Sequence, residues 1–301
     1  MMTETRLAHY IQQFSRLRTD RTGGWTAATQ GQAPHKPILL LSVMDLFAQG
    51  RITSNLIEIT SELGELFATY WSKVMPPERR GNLALPFFHL RSSGFWHLLP
   101  QPSQETALEA VRQVDTLNQL GKLILGARLD DDLFQLLQTA ETHNALRTAL
   151  IQTYFAPEYH SELLALGEIN LQAFVYSQHL IEQARKQVKE TPGEDVAYQP
   201  SVRDQGFRKA VVRIYDHRCA FCGVRMLTAD GHTAVEAAHI VPWSLGGKVM
   251  PYAVDDPHNG MALCRLCHWS FDEDLMGVST KYLVLMSGEM RITENLPGHL
   301  Q

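Results

Sequence analysis

The sequence predicts an α+β protein in which a mostly helical N-terminal domain with a small β-hairpin or sheet precedes a C-terminal domain organised around four cysteines. Three observations support this expectation. Apolar residues recur at helical spacing through the first half of the chain, and a stretch rich in turn and breaker residues occupies Lys189–Pro200. All the cysteines lie between Cys219 and Cys267. With 301 residues, the chain is long enough for two domains that each bury a core.

The domain boundaries are expected where these patterns change. We predict an N-terminal domain at 1–158, a helical connector and linker at 159–200, and a C-terminal domain at 201–301. The connector rests on helical patterning from Ser161 to Lys189, and the linker on the Pro- and Gly-containing segment that follows.

Two helices of the N-terminal domain follow from their local pattern. Pro37 in a first turn and Gly50 just past a last turn are typical of a helix, so the apolar run Ile38–Phe47 predicts a buried one. The segment Ser61–Val74 carries leucine and aromatic residues at helical spacing, which predicts an amphipathic helix.

A β-hairpin is expected next. Leu85–Leu90 and Phe95–Leu99 are apolar runs on either side of a Ser-Gly turn, a pattern typical of two paired strands. Residues 131–152 are expected to return to helix.

Charge and hydropathy narrow the class of protein. A net charge of −5 argues against non-specific binding of polyanions, so binding of nucleic acid would need a local basic patch. No apolar run approaches the roughly 18–20 residues that span a bilayer, and the N-terminal residues lack the apolar stretch of a secretory signal. We therefore expect no membrane partner and a cytoplasmic location.

The cysteines form two pairs with metal-ligand spacing, Cys219-Ala-Phe-Cys222 and Cys264-Arg-Leu-Cys267. Each pair places two thiolates on one tight turn, and two such turns complete a tetrahedron. In a long chain with no other cysteine, this pattern predicts a structural Zn²⁺ site rather than a disulfide framework.

Between and after the pairs lie Val235-Glu-Ala-Ala-His239-Ile-Val-Pro242, Asp255-Asp-Pro-His-Asn259 and Cys267-His268-Trp-Ser-Phe-Asp272. The ordered set His239, Asn259 and His268, interleaved with two cysteine pairs, resembles the four-cysteine branch of the HNH endonuclease family. The resemblance covers roughly residues 205–290. It implies a ββα-metal fold and hydrolysis of phosphodiester bonds in double-stranded DNA with one catalytic divalent cation (Mg²⁺, Mn²⁺ or similar).

The resemblance also implies a role for each of these residues. His239 is the expected general base that takes a proton from water, because imidazole titrates near neutral pH. Asn259 is expected to tie the loop that presents His239, and His268 to ligate the catalytic ion. Many relatives carry a second metal ligand where this chain has Ala238. Asp272, four residues after His268 on one helix face, is the favoured substitute, and Glu236, or water and phosphate, are the alternatives.

The densest basic stretch of the chain precedes the first cysteine pair. On a helix predicted from Asp204 to Tyr215, Arg208 and Lys209 would flank a solvent face that can lie against phosphates. An ordinary solvated face is the alternative interpretation.

The N-terminal domain carries a second resemblance. Pro34-His-Lys-Pro-Ile-Leu-Leu-Leu41, Arg79-Arg-Gly-Asn82 and Leu85-Pro-Phe-Phe-His-Leu-Arg91, followed by Gly94-Phe-Trp96, resemble the sulfur-binding domain of modification-dependent restriction endonucleases. This resemblance covers roughly residues 5–155. It implies recognition of phosphorothioate DNA, in which sulfur replaces a non-bridging phosphate oxygen.

Sulfur is larger and more weakly hydrated than oxygen, so an apolar cavity favours it. Pro86, which has no N–H, suits the wall of such a cavity, while cations would pair with phosphate and polar side chains would reach base edges. The candidate DNA- and sulfur-contacting residues are His35, Lys36, Arg79, Arg80, Asn82, Pro86, His89 and Arg91.

The motifs leave three functions open. The first is a type IV restriction endonuclease that cuts phosphorothioate-modified DNA. The second is an HNH nuclease directed at methylated or unmodified DNA, and the third is a zinc-stabilised DNA-binding or regulatory protein without cleavage. A double-strand break needs two active sites, so a homodimer is expected for a nuclease.

Overall fold

The computed structural model describes residues 2–186, 198–228, 231–242 and 255–288. The chain divides into two compact units. Met1–Leu171 make up the first, the N-terminal unit, and most of the remaining residues make up the C-terminal unit. The predicted linker Lys189–Pro200 lies almost wholly outside the described residues.

The N-terminal unit is mostly helical and has one small sheet. Its helices are α1 (Met2–Phe14), α2 (His35–Ala48), α3 (Ser61–Val74), α4 (Ala84–His89), α5 (Glu105–Ala110), α6 (Leu117–Leu123), α7 (Asp131–Leu137), α8 (Ala140–Tyr154) and the first half of α9 (Pro157–Lys186). Strands β1 (Trp96–Pro100) and β2 (Ile124–Leu129) pair antiparallel.

Helices α2 and α3 confirm the predictions from local pattern. All but two residues of α2 are buried, and the chain leaves the helix at Gly50, whose φ of 65° lies in the left-handed region that favours glycine. Helix α3 begins after Thr60, whose hydroxyl accepts the N–H of Leu63 at 3.2 Å. The helix α2 therefore ends where Gly50 predicts, and α3 spans the predicted segment Ser61–Val74.

The predicted hairpin at Leu85–Leu99 is wrong in its first half. Leu85–Leu90 lie in α4 and a following 3₁₀ turn, and β1 pairs with β2 rather than with this segment. The run is buried almost all round, so its periodicity does not separate a strand from a helix. Asn82 favours a helix here, because its side-chain oxygen accepts the N–H groups of Ala84 at 2.9 Å and Leu85 at 3.4 Å in the first turn.

A buried ionic cluster joins four helices of the N-terminal unit. Arg147 on α8 donates to Asp45 on α2 and, at 2.7 Å, to the hydroxyl of Tyr70 on α3. Asn170 on α9 donates to the same Asp45 carboxylate at 2.7 Å. Gly167 lies so close to Arg147 that a Cβ there would come within 2.3 Å of its guanidinium. The region expected to be helical at 131–152 forms α7 and α8, separated by Gln138 and Thr139.

The C-terminal unit contains the second half of α9 and a ββα arrangement. Its further elements are α10 (Pro200–Ile214), β3 (Val235–His239), β4 (Gly260–Cys264), α11 (Arg265–Asp272), β5 (Met276–Val278) and β6 (Val284–Met286). Strand β4 is buried along its whole length, pairs antiparallel with β3, and leads directly into α11. The predicted α+β class, with a helical first domain and a ββα module carrying four cysteines, is confirmed.

The helices of the described residues were compared with the length and hydrophobicity that a membrane span requires. No helix among them is both long enough and apolar enough to cross a membrane.

Candidate functional site

The four cysteines meet at one end of the ββα arrangement. Their sulfur atoms all lie within 4.8 Å of one another, and none is in a disulfide. The first pair follows α10, and the second spans the end of β4 and the first turn of α11. The N–H of Cys219 donates to Val224 at 2.9 Å, and Gly223 closes the turn with a φ of 73°. The cluster could hold a metal ion.

The spacing of the sulfurs fits an ion with tetrahedral coordination. Zinc–sulfur bonds of about 2.3 Å imply sulfur–sulfur distances of about 3.8 Å, and the sulfurs of Cys222 and Cys264 are 3.7 Å apart. Burial raises the pKa of the Cys222 thiol to about 11 and also raises that of Cys267. At Cys219, backbone hydrogen bonds outweigh burial and lower the pKa of the thiol. Without a cation, the thiolate is therefore disfavoured at Cys222 and Cys267 but not at Cys219, and a bound cation would favour the thiolate at each cysteine.

Asn259 holds the chain that follows β3. Its side-chain oxygen accepts the N–H of Val241 at 2.8 Å, and its amide donates to the carbonyl of the same residue at 3.2 Å. The backbone carbonyl of Asn259 also accepts the N–H of Ile240 at 2.8 Å. These bonds immobilise the two residues after His239, which is the last residue of β3 and pairs with Gly260.

The imidazole of His239 is held by two contacts. Its ring stacks on Phe207 of α10, with centroids 4.1 Å apart and an interplanar angle of 3°. Its Nε2 atom lies 3.5 Å from a carboxylate oxygen of Asp255. The side chain retains 26% exposure, so a substrate can still reach the ring.

Asp255 is a site residue that the sequence did not single out. It is buried and accepts hydrogen bonds from Nε of Arg203 at 2.8 Å and from the hydroxyl of Tyr176 at 3.2 Å. Burial favours its neutral form, but the nearby imidazole of His239 and the hydrogen bonds from Arg203 and Tyr176 outweigh this and hold the pKa of Asp255 below its usual value. Asp255 is therefore ionised at neutral pH. The local sequence carried one signal, an aspartate four residues before Asn259.

His268 lies between two carboxylates. Its Nδ1 atom is 3.5 Å from Glu236 on β3, and its Nε2 atom is 3.7 Å from Asp272 one turn further along α11. Glu236 also faces Arg265 at 3.5 Å, whereas Asp272 is 63% exposed. Both alternative partners of His268 predicted from the sequence are thus next to its ring, on opposite nitrogens.

The basic residues predicted on α10 differ in exposure. Arg208 is exposed and Lys209 is half-buried. Arg203, from the same basic stretch, is engaged with Asp255.

In the N-terminal unit, Lys36 and His89 form an electropositive site with Arg18. Lys36 is buried, with 9% exposure, and no described carboxylate forms an ion pair with it. Burial, and then the charge of Arg18, lowers the pKa of Lys36. Burial, and then the charges of Lys36 and Arg91, lowers the pKa of His89. Arg18, which the sequence did not single out, belongs to this site because its charge acts on Lys36.

Helix α4 carries apolar residues next to His89. Pro86 is buried, while Leu85 and His89 are half-buried and share one face of the helix at positions i and i+4. Asn82, two residues before α4, also donates its amide to the carbonyl of Asp115 at 2.8 Å. The polar atoms of Asn82 are thus engaged in shaping the chain before α4.

His35 and Arg79 lie in an aromatic cluster. The His35 ring is 4.6 Å from Trp71 and 5.3 Å from Trp25, and the Arg79 guanidinium is 3.7 Å from the Trp25 ring. Arg79 also donates to the carbonyls of Gly23 and Gly24. Burial, and then the charge of Arg79, lowers the pKa of His35 to about 4.

Arg91 and Arg80 occupy different settings. The Arg91 guanidinium lies 3.9 Å from the Phe88 ring and donates to the carbonyls of Leu108 and Val111, so it ties α4 to α5. Arg80 is exposed and lines, with Asn82 among others, a surface cleft of about 430 Å³. Of the candidates from the N-terminal sequence, Pro86 and His89 share α4, and the charges of Lys36 and Arg91 both act on His89.

Comparison with known families agrees with both halves of this description. Residues 219–279 match the HNH endonuclease family, and residues 8–171 match the family described as ScoMcrA-like, DNA sulfur-binding domain. The second match covers more than half of the chain, which therefore belongs to that family. Its C-terminal HNH domain makes the protein a metal-dependent DNA endonuclease. The comparison with curated proteins finds no match.

Proposed function

We propose that the protein is a modification-dependent restriction endonuclease of type IV, which binds phosphorothioate DNA through its N-terminal unit and hydrolyses phosphodiester bonds at its HNH site. The fusion of a DNA sulfur-binding domain with an HNH endonuclease domain in one chain carries the proposal. The predicted division into recognition residues 1–158, a connector at 159–200 and a nuclease at 201–301 is part of it.

The electropositive site of the N-terminal unit supports recognition of a modified phosphate. A buried lysine without a carboxylate partner favours an anion, and Arg18 adds a second positive charge. Pro86 and Leu85 offer apolar surface beside His89, which favours the weakly hydrated sulfur over oxygen. In this proposal, Lys36 pairs with the phosphate charge while α4 contacts the sulfur. Arg80, an exposed residue that precedes α4 in the sequence, is a further phosphate contact, and so is the exposed Arg208 in the C-terminal unit.

The geometry around β3 supports the proposed nuclease chemistry. His239 takes a proton from water, and the oxygen of that water forms the new bond to phosphorus. The bond from phosphorus to the 3′ oxygen breaks, and the leaving oxygen takes a proton from solvent water. Asn259 sets the position of His239 through the backbone of Val241. The four cysteines are proposed to hold a structural Zn²⁺, which stabilises a module too small to build a large core.

His268 is proposed to hold the catalytic cation together with Asp272. One ring nitrogen binds a metal and the other donates to a carboxylate, so the partners on its two nitrogens take different roles. Glu236 is already shared with Arg265, which favours Glu236 as the orienting partner and the more exposed Asp272 as the ligand. A divalent cation bound there would neutralise charge on the phosphate and stabilise the leaving oxygen.

The test compares two duplexes that differ in one phosphorothioate linkage, at a stated salt concentration and with Mg²⁺ or Mn²⁺. We expect full-length protein to cleave the modified duplex at least about tenfold faster than the unmodified one. The His239→Ala variant should bind the modified duplex at least about tenfold tighter than the unmodified one, a difference of about 1.4 kcal/mol, without cleaving either. Lys36→Ala should abolish the preference, and Lys73→Ala, an exposed lysine paired with Glu162, should retain it.

Each failure has a distinct meaning. Equal cleavage of both duplexes would leave an HNH nuclease that acts on methylated or unmodified DNA. Preferential binding without cleavage by the zinc-loaded protein would favour a DNA-binding or regulatory role. Two active sites are needed for a double-strand break, so we also propose that the protein acts as a homodimer on DNA.

A further inference from the structure

The C-terminal unit contains a buried carboxylate whose role the motif residues do not explain. We infer that Asp255 is a positioning residue for the nuclease reaction, holding His239 in the tautomer whose Nδ1 lone pair accepts the proton from water. This inference rests on the proposed function, in which His239 is the general base.

The two oxygens of Asp255 have separate partners. Oδ2 accepts from Nε of Arg203 at 2.8 Å and from the hydroxyl of Tyr176 at 3.2 Å. Oδ1 lies 3.5 Å from Nε2 of His239. Arg203 and Tyr176 thus fix the carboxylate from one side, and its other oxygen is directed at the imidazole.

The imidazole is constrained in the same arrangement. Phe207 is buried and stacks flat against the ring, which opposes rotation out of the plane that faces Asp255. The Nε2 atom of His239 is itself buried, although the side chain as a whole is 26% exposed. Solvent and substrate therefore reach the ring by an edge other than Nε2.

These contacts determine which nitrogen carries the proton. An ionised carboxylate only accepts hydrogen bonds, so Asp255 favours the tautomer with its proton on Nε2 and the lone pair on Nδ1. When Nδ1 takes a proton from the attacking water, the resulting imidazolium keeps its Nε2–H toward Asp255, whose negative charge stabilises it. No proton passes to Asp255. Carboxylates act on histidine bases in this way in other hydrolases.

The Asp255→Asn variant tests this assignment because its amide must choose an orientation. Arg203 is a donor only, so the amide oxygen stays on its side and the NH₂ group faces His239. Nε2 of His239 then becomes an acceptor, and its proton moves to Nδ1, where no lone pair remains for water. The neighbouring Asp256→Asn is the matched control. Asp256 is paired with His258, and asparagine preserves its cap on the short 3₁₀ turn.

The experiment combines ¹⁵N NMR of the histidine rings with steady-state cleavage of the phosphorothioate duplex, using the zinc-loaded full-length protein. We expect Nε2–H in the wild type and Nδ1–H in Asp255→Asn. The kcat should fall by about 100-fold or more while KM changes by less than about threefold. Asp256→Asn should match the wild type in both measurements, and Asp255→Glu should recover part of kcat.

The possible failures can be told apart. If the wild type does not cleave, or His239→Ala cleaves as well as the wild type, the proposed nuclease function fails. If those two behave as expected but Asp255→Asn keeps its kcat or the Nε2–H tautomer, the role of Asp255 is wrong. Should Asp255→Asn not fold, the wild-type tautomer decides, because Nδ1–H there would overturn the inference.

Discussion

The side chain of Asn259 bonds both backbone polar groups of Val241, accepting its N–H at 2.8 Å and donating to its carbonyl at 3.2 Å. Asn259 is 2% exposed, so these bonds form away from competing water. They join the turn before β4 to the segment after β3, immediately behind His239. A mutation at Asn259 should therefore affect both stability and the placement of the imidazole.

Asn259→Ala leaves the two backbone groups of Val241 without these partners. Each buried polar group that loses its bond costs about 1–3 kcal/mol, so we expect the C-terminal unit to lose about 2–4 kcal/mol and cleavage to fall steeply. Urea unfolding followed in that unit, together with cleavage rates, measures both effects. Asn118→Ala removes an exposed asparagine of α6 and should change neither. An unaltered unfolding free energy in Asn259→Ala would contradict the structural role.

Zinc removal should unfold the C-terminal unit selectively. The four sulfurs cluster within 4.8 Å and belong to the core of that unit alone. A strong chelator, or Cys267→Ser, should release one zinc per chain, remove the cooperative unfolding transition of the C-terminal unit and abolish cleavage. The N-terminal unit should keep its own transition and its DNA binding. Zinc content by absorption spectroscopy, with calorimetry, provides the measurement, and retention of both transitions after complete zinc loss would refute it.

The buried pair Arg147 and Asp45 should matter far more than a surface pair. Arg147→Met would leave the Asp45 carboxylate buried without its cation, and breaking such a pair typically costs about 3–5 kcal/mol. Lys73 and Glu162 form a pair at 2.9 Å with both side chains over 40% exposed, so Lys73→Met should cost less than about 1 kcal/mol. Denaturant unfolding of both variants makes the comparison. Similar losses of unfolding free energy in the two variants would show that burial does not decide how much each ion pair contributes to stability.

His35 should make the stability of the N-terminal unit fall in mild acid. Its pKa is about 4 in the folded protein and near 6.5 when unfolded, so the unfolded state binds a proton first as pH falls. The contribution is fully present above pH 6.5 and is lost progressively down to about pH 4. We expect a loss of about 2 kcal/mol between pH 7.5 and pH 4.5. His35→Gln, which does not titrate, should have a flatter unfolding free energy over this range. Equal slopes in the two proteins would exclude His35 as the cause.

Where sequence and structure agree, the signal was local. A CxxC spacing places two sulfurs on one turn whatever the rest of the chain does, and the glycine and proline around α2 mark its limits within a few residues. The order of His239, Asn259 and His268 among the cysteines is likewise a property of the sequence alone. These features predict a nuclease site from the sequence, with a DNA-binding protein that does not cleave as the alternative.

Pairing and burial were decided by tertiary structure. Leu85–Leu90 is apolar enough for a strand, but β1 takes β2 as its partner across more than twenty intervening residues. Similarly, Asp255 and Asp256 are adjacent in sequence, yet only Asp255 is buried against Arg203 and His239.

The partners of the cationic side chains in the N-terminal unit were likewise decided by tertiary structure. Lys36 remains without a described carboxylate partner, while the guanidinium groups of Arg79 and Arg91 are taken up by backbone carbonyls. The sequence by itself determined which chemical groups the protein carries and which class of reaction they serve. Only the folded chain decided which of those groups are desolvated and which partners they have, because both properties depend on residues distant in sequence.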